Sequence, residues 1–181
     1  MMTEKFHRLI PVILVNEGGF VNDKDDPGRA TKLGVSLRFL QKTGDIDFDL
    51  DGDGDIDIDD IRLLTPEDAK EIYREYFWDP LQLDKLINEK LSLQVFDHCV
   101  NAGKKAAVTI LQNVCGSKPD GVMGPMTIAS ANTFLDNISL RYMQARKDWY
   151  NDLIEEKPKF AKYRAGWINR VNNTYQKSCQ L

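Results

Sequence analysis

The residues best suited to chemistry lie between Glu17 and Thr31, in the run Glu-Gly-Gly-Phe-Val-Asn-Asp-Lys-Asp-Asp-Pro-Gly-Arg-Ala-Thr. Glu17 sits where an apolar helical pattern stops at Gly18-Gly19. It therefore falls in the last turn of a helix, at the partially negative end of the helix dipole. That position disfavours the ionised carboxylate, which is the bias a general acid needs to keep its proton near neutral pH. Hydrolysis of a glycosidic bond takes a protonated acid beside the leaving oxygen and a second group that positions water or attacks the sugar. Asp23, Asp25 and Asp26 are the candidates for that second group, and Thr31 is spaced to hold a water. A plain helix terminus followed by a polar turn would show the same residues, so this pattern alone does not separate catalysis from a simple chain reversal.

A second concentration of oxygen ligands follows. Residues 45–60 hold nine aspartates and no base. Aligned on Asp53-Gly54, the run from Asp49 to Asp60 resembles the twelve-residue calcium loop of EF-hand and dockerin modules. Asp49, Asp51 and Asp53 fall at positions one, three and five, Gly54 at six, Asp55 at seven, the apolar Ile56 at eight and Asp57 at nine. Asp60 takes the twelfth place, where dockerins often carry Asp and EF-hands Glu. The resemblance implies a structural calcium held by Asp49, Asp51, Asp53, Asp55, Asp57 and Asp60. The loop is single where EF-hands pair, so it reads as a structural clip inserted in an enzyme; the plain alternative is a solvated acidic linker.

The elements that must position these residues are mostly helical. Phe6, Leu9, Ile10, Ile13 and Leu14 follow one helix face, capped by Thr3, with a kink or restart expected at Pro11. Phe20 and Val21, then Thr31, Leu33 and Val35, predict a short hairpin around the Asp-rich turn. Ser36 caps a short helix ending at Gly44. Thr65-Pro66-Glu67-Asp68 starts a helix running to Trp78. Further helices are predicted at about 88–101, 104–115, from Pro125, at 139–156 and at 158–177. The fold class is mainly α: a helical bundle with one small β-hairpin beside Glu17 and an acidic-loop insertion.

The composition suits a folded globular chain. The net charge of −4 makes no case for a nucleic-acid partner. Without the nine loop aspartates the remainder carries a formal +5, which suits a polyanionic wall. Cys99, Cys115 and Cys179 show no metal spacing; the first two lie in apolar helical patterns and read as buried free thiols. His7 and His98 read as surface or capping residues. No run has the length of a membrane span. The N-terminus lacks a cleavable-signal layout, because Pro11 and Glu17 interrupt its apolar stretch. The expectation is a monomer made in the cytoplasm that reaches the cell wall or periplasm after release or export.

Taken together, Glu17-Gly18-Gly19-Phe20-Val21-Asn22-Asp23, Asp26-Pro27-Gly28, Ala30-Thr31 and Gly34-Val35 resemble the signature of the bacterial and phage N-acetylmuramidases of glycoside hydrolase family 108. Phe96-Asp97, Val100-Asn101-Ala102-Gly103 and Ala106-Ala107 are similar to that family's middle segment. Leu111-Gln112, Asp120 to Pro125 and Thr127-Ile128 resemble its peptidoglycan-binding-like lobe, and Gly166 to Val171 its C-terminal helix. The resemblance implies a lysozyme-like α+β fold, with a catalytic lobe at 1–103 and a peptidoglycan-binding-like helical lobe at 104–181. It implies cleavage of the β-1,4 bond between N-acetylmuramic acid and N-acetylglucosamine in peptidoglycan glycan strands, with no catalytic cofactor. Glu17 takes the place of the catalytic glutamate, and Asp26 and Thr31 those of a water-positioning pair. Phe20, Arg29, Tyr76, Asp97 and Asn101 are the substrate-binding candidates, with Trp78 a further ring that could stack on a sugar face; Asp97 and Asn101, four apart on one helix face, either line the cleft or make structural hydrogen bonds. Arg29 replaces the second glycine of the family's Gly-Gly, so it either meets an anionic group of the wall or pairs with a neighbouring Asp. Two rival readings remain: a non-catalytic peptidoglycan-binding or secretion-related module, and a calcium-signalling protein resting on the single acidic loop.

Overall fold

A computed structural model describes residues 3–17, 20–22, 30–133 and 137–181. The chain forms two compact units, Ile10–Arg74 and Met1–Leu9 joined with Glu75–Leu181. The first helix, α1 (Glu4–Glu17), begins in one unit and ends in the other. Thr3 accepts from the Phe6 amide at 3.3 Å, as expected of a cap. The expected break at Pro11 does not occur; the helix is continuous through it. Proline removes one hydrogen bond, and buried Phe6, Leu9, Ile10 and Ile13 hold the helix on both sides of the gap.

In Ile10–Arg74, β1 (Val21–Asn22), β2 (Ala30–Lys32) and β3 (Val35–Ser36) form an antiparallel sheet in sequence order. Val21 faces Thr31, which also faces Ser36, and Lys32 faces Val35. Leu33 is a turn residue where a strand position was expected. The two-residue loop between β2 and β3 requires positive φ at both positions, and Leu33 and Gly34 adopt 52° and 76°. The Tyr73 hydroxyl donates to the Leu33 carbonyl at 3.0 Å and holds that conformation. Ser36 caps α2 (Leu37–Thr43), which ends at left-handed Gly44. The acidic loop leads to α3 (Ile58–Leu63), and a Thr65/Asp68 capping box starts α4 (Pro66–Tyr73).

The helix expected to reach Trp78 instead widens into a π turn at Arg74–Trp78. Trp78 is fully buried, with its ring centre 5.3 Å from Phe6 and 5.2 Å from Phe96. This second unit is built on α5 (Glu89–Ala102), capped by Asn88, with α6 (Lys104–Cys115), α7 (Pro125–Thr133), α8 (Ile138–Glu156) and α9 (Arg164–Ser178). Leu91 through Cys99 are buried without interruption, so α5 is enclosed on all sides. His98 is accordingly a core residue and not the surface residue expected. Cys99 and Cys115 are buried thiols as read, and burial pushes Cys99 up to about 12. The expected single helix from Pro158 is a 3-10 turn over Pro158–Tyr163 followed by α9. Its three-residue period sets Phe160 and Tyr163 along one edge.

The turn between α6 and α7 is organised by buried Gln112. Its amide nitrogen reaches Asp120 Oδ1 at 2.8 Å, the Val122 carbonyl at 3.1 Å and Thr127 Oγ1 at 3.1 Å, and its oxygen accepts from the Gly121 amide at 2.8 Å. The Gln112, Asp120-Gly121 and Thr127 positions are thus one folding device. Gln112→Ala, which strands several of these groups, is expected to cost about 2–3 kcal/mol. A urea titration of the variant checks this; an unchanged midpoint would refute the hub role.

Candidate functional site

Glu17 is the last residue of α1, so the backbone ends the helix where the glycine stop required. Four residues on, β1 begins, and its partner β2 carries half-buried Thr31. Thr31 is held from both sides, by Val21 and Ser36, on the central strand. Phe20 is 41% exposed, and the Arg62 guanidinium lies 5.8 Å from its ring centre, so this ring presents apolar surface to solvent beside a cation. Lys32 donates to the Arg62 carbonyl and ties α3 to the sheet. Asp26 and Arg29, with the alternatives Asp23 and Asp25, lie outside the described residues.

Tyr76, Asp97 and Asn101 belong to the other unit. Tyr76 is half-buried in the π turn. Of the two roles open to Asp97 and Asn101 from their four-residue spacing, lining a cleft or making structural hydrogen bonds, Asp97 takes the second: it is 0% exposed and has no access to a substrate. Its Oδ2 accepts from Arg146 Nη1 at 2.7 Å, and its Oδ1 from Arg170 Nε and Nη2 at 3.0 and 2.9 Å. Burial alone would raise the Asp97 pKa; the two guanidiniums outweigh it and hold the carboxyl below its usual range. Asn101 is exposed and accepts from the Tyr150 hydroxyl, which lies 3.5 Å from Arg146 Nη2. His98 Nδ1 meets the Tyr142 hydroxyl at 2.9 Å, and that hydroxyl donates to the Ala107 carbonyl, so the ring is the donor. Desolvation drives the His98 pKa well below the ordinary histidine value. The arginines were not among the sequence candidates. Their signal is Arg146 standing between Tyr142 and Tyr150 at four-residue spacing, a lone cation in a buried stripe.

The acidic loop is an ordered structure. Asp49 accepts from the amides of Gly52, Asp53 and Gly54 at 2.7, 3.1 and 2.9 Å, with Gly54 at φ 98°. Asp60, 1% exposed, accepts from Leu50 at 2.6 Å and from Asp57 at 2.7 Å. With Asp57 it forms the capping box of α3. The six expected ligands come together as two triads, Asp49, Asp51, Asp53 and Asp55, Asp57, Asp60, each with carboxylate oxygens within 4.8 Å of one another. The Asp51 pKa is raised, first by lost hydration, and that of Asp55, first by the charge of Asp53. All these donors are hard oxygens, a set that fits calcium chemically.

The buried charges generate a signed pH dependence. Asp97 is held below its unfolded pKa of about 3.9, so its stabilisation is present above about pH 4 and lost as pH falls through the folded value. His98 is kept neutral in the fold, so stability also drops as pH falls below its unfolded pKa of about 6.5. Asp97→Asn, which leaves two cations short of their counter-charge, is expected to cost about 3–5 kcal/mol at pH 7. It should also shrink the loss below pH 4, leaving the part that comes from Glu67 and Asp120, whose carboxyls are likewise held below their usual range. Urea midpoints of both proteins from pH 3 to 8 test this; an Asp97→Asn protein as stable as the parent overturns it.

Comparison with known proteins divides the chain between residues 103 and 106, inside the unit that holds Glu75–Leu181 and not at its boundary with Ile10–Arg74. Residues 10–103 match the model of the glycosyl hydrolase 108 family, and residues 106–172 that of a predicted peptidoglycan domain. The fold is similar to the solved structure of Brucella abortus SagA, with a TM-score of 0.78 and 28% sequence identity over 97% of this chain and 94% of that one. A search of curated proteins returns no match. Since the first family model spans half of the sequence and includes Glu17, Thr31 and the acidic loop, the chain belongs to the glycosyl hydrolase 108 family.

Proposed function

We propose that the protein is an N-acetylmuramidase that cleaves the β-1,4 bond between N-acetylmuramic acid and N-acetylglucosamine in peptidoglycan. The observation that carries this reading is Glu17 as the final residue of α1, next in sequence to the small sheet that holds Thr31, within the segment matched by the hydrolase family. A carboxyl group at a helix C-terminus is biased toward its protonated form, and a glycosidase acid must donate a proton to the leaving oxygen. In this mechanism Glu17 protonates the glycosidic oxygen as the sugar gains oxocarbenium character. Asp26 orients or activates the attacking water, and Thr31 helps hold it. Phe20 offers a ring face to a sugar, and Arg29 meets an anionic group of the wall. The reaction needs no cofactor, and among the described residues no helix is long and apolar enough to cross a membrane. The protein acts at the cell wall in this reading.

Calcium has a structural part in the same proposal. The carboxylates of Asp49, Asp51, Asp53, Asp55, Asp57 and Asp60 would hold it, relieving the mutual repulsion of nine acids in sixteen residues. The ion is a clip on the loop and takes no part in bond cleavage.

Glu17→Gln keeps the shape of the side chain and removes the proton. It is expected to lower the release of new reducing ends from purified peptidoglycan by about 10²–10⁴-fold with the fold intact. Mass analysis of the products should find N-acetylmuramic acid at the reducing end. A fully active Glu17→Gln protein, or N-acetylglucosamine at that end, would sink the assignment. For the loop, EDTA is expected to lower the Tm by roughly 5–10 °C at a calcium excess of about 100-fold over Kd, reversed by calcium. A Tm indifferent to EDTA and calcium would remove the metal from the proposal.

A further inference from the structure

Residues 157–167 carry four bases, Lys157, Lys159, Lys162 and Arg164, and no acid, in a chain whose net charge is −4. The 3-10 turn Pro158–Tyr163 has no buried residue. Phe160 and Tyr163 on this turn and Trp167 in the first turn of α9 form a ladder of rings. Centres are 6.4 Å apart for Phe160 and Tyr163, 6.0 Å for Phe160 and Trp167, and 5.7 Å for Tyr163 and Trp167. Trp167 then stacks on Tyr150 at 4.9 Å and 26°. Tyr150 is buried and held by Asn101 and Arg146, so the ladder is anchored in the core at one end. At the other end Tyr163 is 47% exposed. Lys159 Nζ stands 5.3 Å from the Phe160 ring centre and Lys162 Nζ 4.9 Å from that of Tyr163. Arg164 Nε donates to Asn151 Oδ1 at 3.1 Å and fastens the turn to α8.

An aromatic edge that packing alone required would be covered, and cations gathered on it serve no core. Rings held in place present the apolar C–H faces of sugars with a surface that costs little ordering on binding. Ammonium groups beside those rings meet carboxylates. A peptidoglycan strand carries both partners, pyranose faces along the glycan and free carboxylates on its peptide stems. The whole patch lies within the segment matching a predicted peptidoglycan domain. We infer that the Lys159–Phe160–Lys162–Tyr163–Trp167 face is a docking surface for insoluble peptidoglycan, separate in residues from the Glu17 site. This inference rests on the wall-directed reading above but not on cleavage.

The test uses the full chain carrying Glu17→Gln, so that the wall is not digested, and cosedimentation with purified sacculi. Adding Tyr163→Ala, or Lys159→Glu with Lys162→Glu, is expected to weaken sedimentation about tenfold, with Tm unchanged because these side chains are exposed. Raising the salt should weaken the parent and leave the charge-reversed protein little affected. With Glu17 restored, the same variants should digest sacculi more slowly and cleave short soluble muropeptides at the parental rate. Equal sedimentation of parent and variants overturns the inference, as does a parent that sediments with anionic lipid vesicles and not with sacculi. If no protein of the set cleaves any muropeptide, the muramidase assignment fails while the sedimentation comparison still decides this one.

Discussion

A carboxylate cut off from water must find its counter-charge inside the protein, and Asp97 is that constraint here. Desolvating an ion costs several kcal/mol, and only close, well-directed donors repay it. Asp97 on α5 therefore brings in Arg146 from α8 and Arg170 from α9, three helices that share little sequence proximity. Because Arg146 is fixed, Tyr150 one helical turn on is fixed with it, bridging to Asn101 on α5. Trp167 stacks on Tyr150, and the ladder of Phe160 and Tyr163 extends from Trp167 to the surface. A buried charge thus determines where an exposed aromatic edge stands.

The unit Ile10–Arg74 follows a different logic, with acidic side chains used first as backbone acceptors. Asp49 gathers three amides, and Asp60 takes two while starting α3. Each such bond satisfies a donor that a tight loop would otherwise leave to water. The cost is crowding, visible in the pKa of Asp55, which the charge of Asp53 raises. Acid is concentrated in this loop and base at 157–164, so the modest net charge conceals two oppositely charged stretches of sequence.

Much of this was legible in sequence because it is local. Glycine and proline stops, the Ser36 and Thr65 caps, the Asn88 start and the antiparallel pairing of Val21 with Thr31 are decided within a few residues, where backbone sterics and nearby hydrogen bonds dominate. The position of Glu17 at a helix end belongs to this class, as does the twelve-residue spacing of the acidic loop. Where local preference met packing, packing prevailed. Pro11 did not break α1, the chain before Trp78 widened to seat that ring between Phe6 and Phe96, and Phe160 entered a 3-10 turn before its helix.

By itself, then, the sequence determined the helical class, the small sheet, the family signature and the place of Glu17 at a helix end, since each depends on residue type and short-range spacing. Tertiary structure alone decided that Asp97 is a buried ion partner and not a cleft residue, that His98 is a neutral core ring, and that Gln112 is the hub of a turn. It also split the six loop carboxylates into two triads and joined the aromatic ladder to Tyr150. These outcomes rest on contacts between residues dozens of positions apart, such as Asp97 with Arg170, which a period of 3.6 cannot announce. Whether a polar side chain faces water or a partner is a property of the fold that surrounds it, and desolvation then fixes its charge.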